Sequence, residues 1–179
     1  MTIHAEQTAG ADAASGIRNW NTEPLDALIA HIVDRHHAYL RQEFPRLESW
    51  LAAVRREHDA RDGTTLAGLD QVFTALREEL EMHMRKEEMV LFPAILRSEG
   101  WIGQPISVMK HEHDAALRAL AELRRLTGGY RPPEDACHTY RALYAGLEAL
   151  EQDLDLHIHL ENDILFPRAL ADTERGRGC

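Results

Sequence analysis

The sequence predicts an all-α fold, an antiparallel up-down-up-down four-helix bundle, and three observations carry that prediction. Four long stretches repeat apolar residues in steps of three and four, the period of a helix with one buried face. The links between them are short, and no stretch alternates as a half-buried strand would. The third observation is a motif that occurs twice. His83-Met84-Arg85-Lys86-Glu87 runs on to Leu91-Phe92-Pro93, and His157-Ile158-His159-Leu160-Glu161 runs on to Leu165-Phe166-Pro167, 74 positions later.

Residues 1–20 are small and polar without periodicity, so a disordered lead-in is expected there. Thr22 is the expected N-cap, with Pro24 at an early helical position. The first helix then runs from about Pro24 to about Ala60 on the stripe Val33, His37, Leu40, Phe44, Leu47, Leu51, Val54 and His58. Pro45 lies inside it and is expected to kink or split it. Asp62-Gly63-Thr64-Thr65 reads as a turn followed by a cap. The second helix extends to about Arg97 on the stripe Leu66, Leu69, Phe73, Leu76, Leu80, His83, Glu87, Val90 and Ala94. After a loop over 98–105, the third carries Ile106, Met109, His113, Ala116, Leu120 and Leu123 and stops at Gly128-Gly129. Pro132-Pro133-Glu134-Asp135 opens the fourth, whose stripe is Tyr140, Leu143, Leu147, Leu150, Leu154, His157, Glu161 and Ile164. Residues 21–171 are expected to form the bundle domain, and the charged, glycine-rich residues 172–179 a flexible tail.

Positions i and i+4 of a helix share a face, so each motif copy aims an imidazole and a carboxylate at one point. His37, His83, Glu87, His113, His157 and Glu161 all fall on the inward stripes, at least one per helix. A carboxylate on a core stripe is costly unless it is paired or bound to a cation. Imidazole and carboxylate without thiolate suit iron, manganese or zinc. Two carboxylates able to bridge make the expected centre dinuclear. At ~1.5 Å per residue the four histidines fall within a spread of under ~15 Å along the bundle. His58 is left out, because it stands ~31 Å along a continuous helix from His37. His31, His36, His111 and His159 are expected at the surface or behind a ligand. Glu79, one turn before His83, and Glu112, beside His113, are each placed to accept a hydrogen bond from a ligand imidazole.

Four segments together resemble the hemerythrin-like di-iron domain and, more closely, the iron–sulfur-cluster-repair di-iron proteins. They are Asn19-Trp20-Asn21-Thr22 through His37, His83 through Pro93, Gln104 through Asp114, and His157 through Pro167. The resemblance covers about residues 19–171 and implies a bundle holding two iron ions with oxo and carboxylate bridges. By position it matches His37, His83, His113 and His157 to the family's histidine ligands, and Glu87 and Glu161 to its bridging glutamates. It implies a role in nitrosative or oxidative stress. Damaged iron–sulfur proteins would be restored by supplied iron, or nitric oxide, oxygen or peroxide would be handled at the centre. The alternative is a non-catalytic sensor or store of oxygen, nitric oxide or iron, with a partner docking at Trp101 and Ile102. Whether the protein is an enzyme stays open between these readings. The N-terminal domain with a cysteine pair found in full-length repair proteins is expected to be absent. Leu117 stands where oxygen-carrying hemerythrins have another histidine and repair proteins a small glycine, which implies narrower access to one iron.

Thirty acidic against twenty basic residues give a formal net charge of −10, which argues against nucleic acid and anionic membranes as partners. No apolar run approaches the roughly 20 residues of a membrane span, and no signal peptide is evident. Cys137 and Cys179 are isolated, without metal or redox spacing, which suits a reducing cytoplasm. A monomer or homodimer is expected. No nucleophile arrangement, phosphate-binding loop or dinucleotide fingerprint appears.

Overall fold

The structure, a computed structural model, describes residues 19–177, so the expected lead-in over 1–18 and the last two residues lie outside the described part. Its elements are α1 (Leu25–His31), α2 (Ala38–Lys86), α3 (Phe92–Leu96), α4 (Gly103–Leu126), α5 (His138–His159) and α6 (Phe166–Arg177), with no strand among the described residues. Turns of π-helix join them at Ile32–His37, Glu87–Leu91 and Leu160–Leu165. These elements make the four antiparallel helices of the bundle: α1 with the first part of α2, the rest of α2 with α3, α4, and α5 with α6.

The backbone is helical on both sides of a reversal inside α2, where the chain doubles back on itself. In a straight helix Glu48 and Arg77 would stand ~43 Å apart. Arg77 Nη1 instead lies 3.1 Å from Glu48 Oε2, and Arg55 pairs with Asp70. Both pairs centre between positions 62 and 63, so the reversal falls at Asp62-Gly63, where the turn was expected, and the local backbone stays helical on either side of it. Pro45 also leaves α2 unsplit. It withholds one N–H from the carbonyl of Arg41, and the packed stripe carries the helix through.

Two other expected boundaries move. Thr22 lies in a turn onto the Asn19 carbonyl (2.9 Å), and Pro24 itself is the N-cap of α1. The fourth helix starts at His138 rather than Pro132, because Ala136 N–H closes a turn onto the Pro133 carbonyl at 3.0 Å. The third helix stops where expected, with Gly128 (φ 61°) and Gly129 (φ 78°) in the left-handed region that ends helices. Helical structure continues to Arg177, past the Asp172 where the tail was placed.

The π turns shift the stripes. A π turn takes more residues than an α turn, so the inward face moves by about one position. Val90, expected inside, is 48% exposed, whereas Leu91 is 1% exposed. Upstream of His37, Ile32 is the fully buried residue and Val33 only half-buried. Two of the π turns have a local cause. Pro93 and Pro167 each follow one, and a proline ring clashes with the carbonyl four residues back while offering it no N–H. The wider turn just upstream relieves that clash. The π turn at Ile32–His37 has no proline behind it.

The apolar side chains form two clusters. One, built around Leu40, Phe44, Phe73, Leu120, Leu147 and Leu154, fills the middle and far end of the bundle. The other, around Ile32, Leu91, Phe92, Met109, Leu160 and Phe166, closes the near end. Among the described residues, no helix is long and apolar enough to cross a membrane.

Candidate metal centre

Between the two apolar clusters lies a polar layer. His37, His83, Glu87, His113, His157 and Glu161 meet there, and all six are at most 2% exposed. Their ligand-type atoms form two overlapping quartets, with every atom of a quartet within 4.8 Å of the others: His37, Glu87, His157, Glu161, and His83, Glu87, His113, Glu161. Both carboxylates belong to both quartets, and each turns one oxygen toward each. Glu87 Oε2 is 3.4 Å from His37 Nε2, and its Oε1 is 3.3 Å from His83 Nε2. Glu161 Oε1 is 3.1 Å from His157 Nε2, and its Oε2 is 3.0 Å from His113 Nε2.

The repeated motif builds this layer as a pseudo-two-fold. Glu87 and Glu161 supply the shared carboxylates. The next residue of each copy reaches the ring of a neighbouring helix: Glu88 Oε1 lies 2.6 Å from His37 Nδ1, and Asn162 Oδ1 lies 3.0 Å from His113 Nδ1. The phenylalanine of each Leu-Phe-Pro stacks on that same ring, Phe92 on His37 at 5.9 Å and Phe166 on His113 at 6.0 Å. Carboxylate, clamp and wall thus recur at equal offsets.

The symmetry breaks at the remaining histidines. Glu112 accepts from His83 Nδ1 at 2.8 Å and also pairs with Lys86. The position matching Glu112, one before the ligand of its helix, is His36, which is buried, hydrogen-bonded to Asp153 at 3.1 Å, and stacked on His157 at 5.5 Å. His157 Nδ1 and His36 Nε2 have no hydrogen-bond partner. One half of the layer is therefore held by a carboxylate and the other by a stacked imidazole.

Charge explains what the layer is for. Both Glu87 oxygens, Glu161 Oε2 and His37 Nε2 are buried without a hydrogen-bond partner, a costly state in a dry interior unless a cation satisfies them. In the metal-free chain protons stand in. Burial works against charge on His37 and His83, but the facing Glu87 and Glu161 carboxylates raise both, His83 to about 9. Burial likewise opposes ionisation of Glu161, yet His157 and His113 hold it well below the usual carboxylate range. Burial also opposes charge on Glu88 and Glu112, which are nonetheless lowered, the first by His37 and Arg41 and the second by Lys86 and His83. Four imidazoles and two carboxylates in this arrangement fit a pair of first-row cations.

Of the two proposed ring-holding glutamates, Glu112 makes the contact, while Glu79 is exposed on the wall of a pocket of about 410 Å³. That pocket opens between α2 and α4 and is lined also by His83, Lys86, Ala115 and Ala116. Leu117, expected to narrow access, is 38% exposed and does not line it. His31 stacks on Trp20 at 4.5 Å, and His111 and His159 are exposed. Glu88, Asn162, Phe92 and Phe166 were not singled out in the sequence, although their equal offsets within the two copies are a readable signal. Ile102 is buried in the near-end cluster and Trp101 is 49% exposed.

The hemerythrin HHE cation-binding domain matches residues 28–169. The chain is 46% identical over 156 residues to the iron-sulfur cluster repair protein YtfE of Edwardsiella ictaluri (strain 93-146), covering 87% of this chain and 70% of the relative. It is 46% identical over 170 residues to that of Pectobacterium atrosepticum, covering 94% and 76%. The YtfE of Yersinia pseudotuberculosis is 44% identical over 169 residues, with 94% and 76% covered. With two carboxylates shared by two buried histidine pairs and these similarities over most of its length, the chain belongs to the hemerythrin HHE cation-binding domain family.

Proposed function

We propose that residues 21–171 form a di-iron domain in which His37 and His157 hold one iron, His83 and His113 the other, and Glu87 and Glu161 bridge them. The observation that carries this is the sharing of both carboxylates between both quartets, one oxygen to each. Iron bound there supplies one-electron chemistry and a coordination position for nitric oxide, oxygen or peroxide. The chain's own residues do the rest. Glu88, Asn162 and Glu112 fix three rings so that Nε2 faces the centre. Phe92, Phe166 and the two apolar clusters keep water out and the local dielectric low.

The protein then serves in nitrosative or oxidative stress by acting on damaged iron–sulfur proteins, a reading supported by relatives named iron-sulfur cluster repair proteins. It would deliver iron as cargo or consume the small molecules that damage clusters. The pocket beside His83 supports this reading, because it brings an apolar-walled opening up to one half of the layer.

The deciding measurement is metal content with an absorption spectrum on protein purified without added metal, followed by exposure of the reduced form to nitric oxide. About two irons per chain with nitrosyl features are expected. Zinc alone would overturn the redox reading. Near-stoichiometric iron retained in both Glu87→Ala and Glu161→Ala would overturn the bridge assignment.

A further inference from the structure

At the opposite end of the bundle, three side chains that no part of the buried centre uses come together. His58 ends the inward stripe of the first bundle helix, ~31 Å along it from His37. Cys137, 79 residues later in sequence, is the residue before α5. His58 Nε2 lies 3.4 Å from Cys137 Sγ, and Glu57 Oε2 lies 3.8 Å from the same sulfur. One ligand-type atom from each of Glu57, His58 and Cys137 falls within 4.8 Å of the others.

We propose that Glu57, His58 and Cys137 form a second, mononuclear site for a thiophilic divalent cation of the zinc type, separate from the buried centre and not dependent on its reading. The geometry carries this. A tetrahedral ion with Zn–S of about 2.3 Å and Zn–N or Zn–O of about 2.0–2.2 Å separates its ligand atoms by ~3.6 Å. The two sulfur separations, 3.4 and 3.8 Å, bracket that edge. The donor set differs in kind from the buried layer: a thiolate joins the imidazole and carboxylate, which favours zinc over harder ions.

The surroundings agree. The His58 ring is steadied against Tyr140 at 5.2 Å. Cys137 occupies the N-cap of α5 but makes no side-chain cap bond, so its sulfur is free to face the other two ligands. A metal-bound thiolate there sits at the favourable end of the α5 dipole. His58 and Cys137 are half-buried and Glu57 is exposed, so a fourth position faces solvent and the ion is exchangeable. The helix reversal at Asp62-Gly63 makes the site possible, because it brings the end of the first bundle helix level with the start of the fourth.

Cobalt(II) is the probe, added to the whole 179-residue chain as purified. A thiolate-to-cobalt charge-transfer band can arise only from a cysteine ligand, never from the imidazole and carboxylate layer, so the result does not depend on what fills that layer. The expected result is one equivalent of cobalt with a thiolate band, competed away by zinc. The band is retained in Cys179→Ser and lost in Cys137→Ser, with far-ultraviolet circular dichroism unchanged. His58→Ala weakens binding roughly tenfold or more. Glu57→Gln, a change on an exposed side chain that leaves the fold intact, weakens it in the same direction. No thiolate band at stoichiometric cobalt would overturn the proposal, as would a band that survives Cys137→Ser or an affinity unchanged in both His58→Ala and Glu57→Gln.

Discussion

Without a cation in the buried layer, the protein should lose stability as pH rises. In the metal-free layer His83 is raised from 6.5 to about 9: burial works against its charge, but the Glu87 carboxylate, with help from Glu161 and Glu112, outweighs it. A folded-state pKa above the unfolded value means that the folded chain binds the proton more tightly. The stabilisation is therefore fully present below about pH 6.5 and is lost as pH rises through about 9. At 1.36 kcal/mol per unit the shift corresponds to about 3 kcal/mol. His37, raised by the same carboxylates against its burial, adds in the same direction. Tyr39, which burial pushes up to about 12, titrates above the window. With a urea m-value of about 2 kcal/mol/M, the unfolding midpoint should drop by about 1.5 M between about pH 6 and about pH 9.5. Urea titration of chelator-treated protein at the two pH values reads this directly. With cations bound as proposed the drop should vanish, because the imidazoles would then be neutral ligands throughout. A metal-free midpoint that holds or rises across the window would refute the reasoning.

Glu112→Ala removes the hydrogen bond to His83 Nδ1, and cation affinity in chelator competition should fall about 10–100-fold, whereas Glu79→Ala should leave it unchanged. Val90→Lys should alter stability by less than about 0.5 kcal/mol, and Leu91→Ala should cost about 2–5 kcal/mol in denaturant titration; the reverse order would disprove the π turn at Glu87–Leu91. Phe44→Ala, deleting a 1%-exposed ring packed edge-on against Phe73 at 6.3 Å, should cost about 3–5 kcal/mol and lower the thermal midpoint without changing metal stoichiometry.

The bundle and the six-residue layer were legible in the sequence because both rest on local periodicity. Steps of three and four place a stripe on one helical face, and His83/Glu87 and His157/Glu161 share a face whatever the rest of the chain does. The motif's recurrence at a spacing of 74 is visible in the sequence, and the structure turns it into the pseudo-two-fold of the layer.

Only the tertiary structure decided the rest, because it depends on backbone register and on contacts between distant residues. Periodicity assumes 3.6 residues per turn, so it placed Val90 inside; the π turn before Pro93 gives that face to Leu91. The choice of Glu112 over Glu79 turns on which helix lies beside His83, and helical spacing carries no such information. The pairing of His36 with Asp153 spans 117 residues. Cys137 reads as isolated along the chain and becomes a neighbour of Glu57 and His58 only because the helix reverses at Asp62-Gly63. Local spacing fixes what a face carries; the fold alone settles what that face meets.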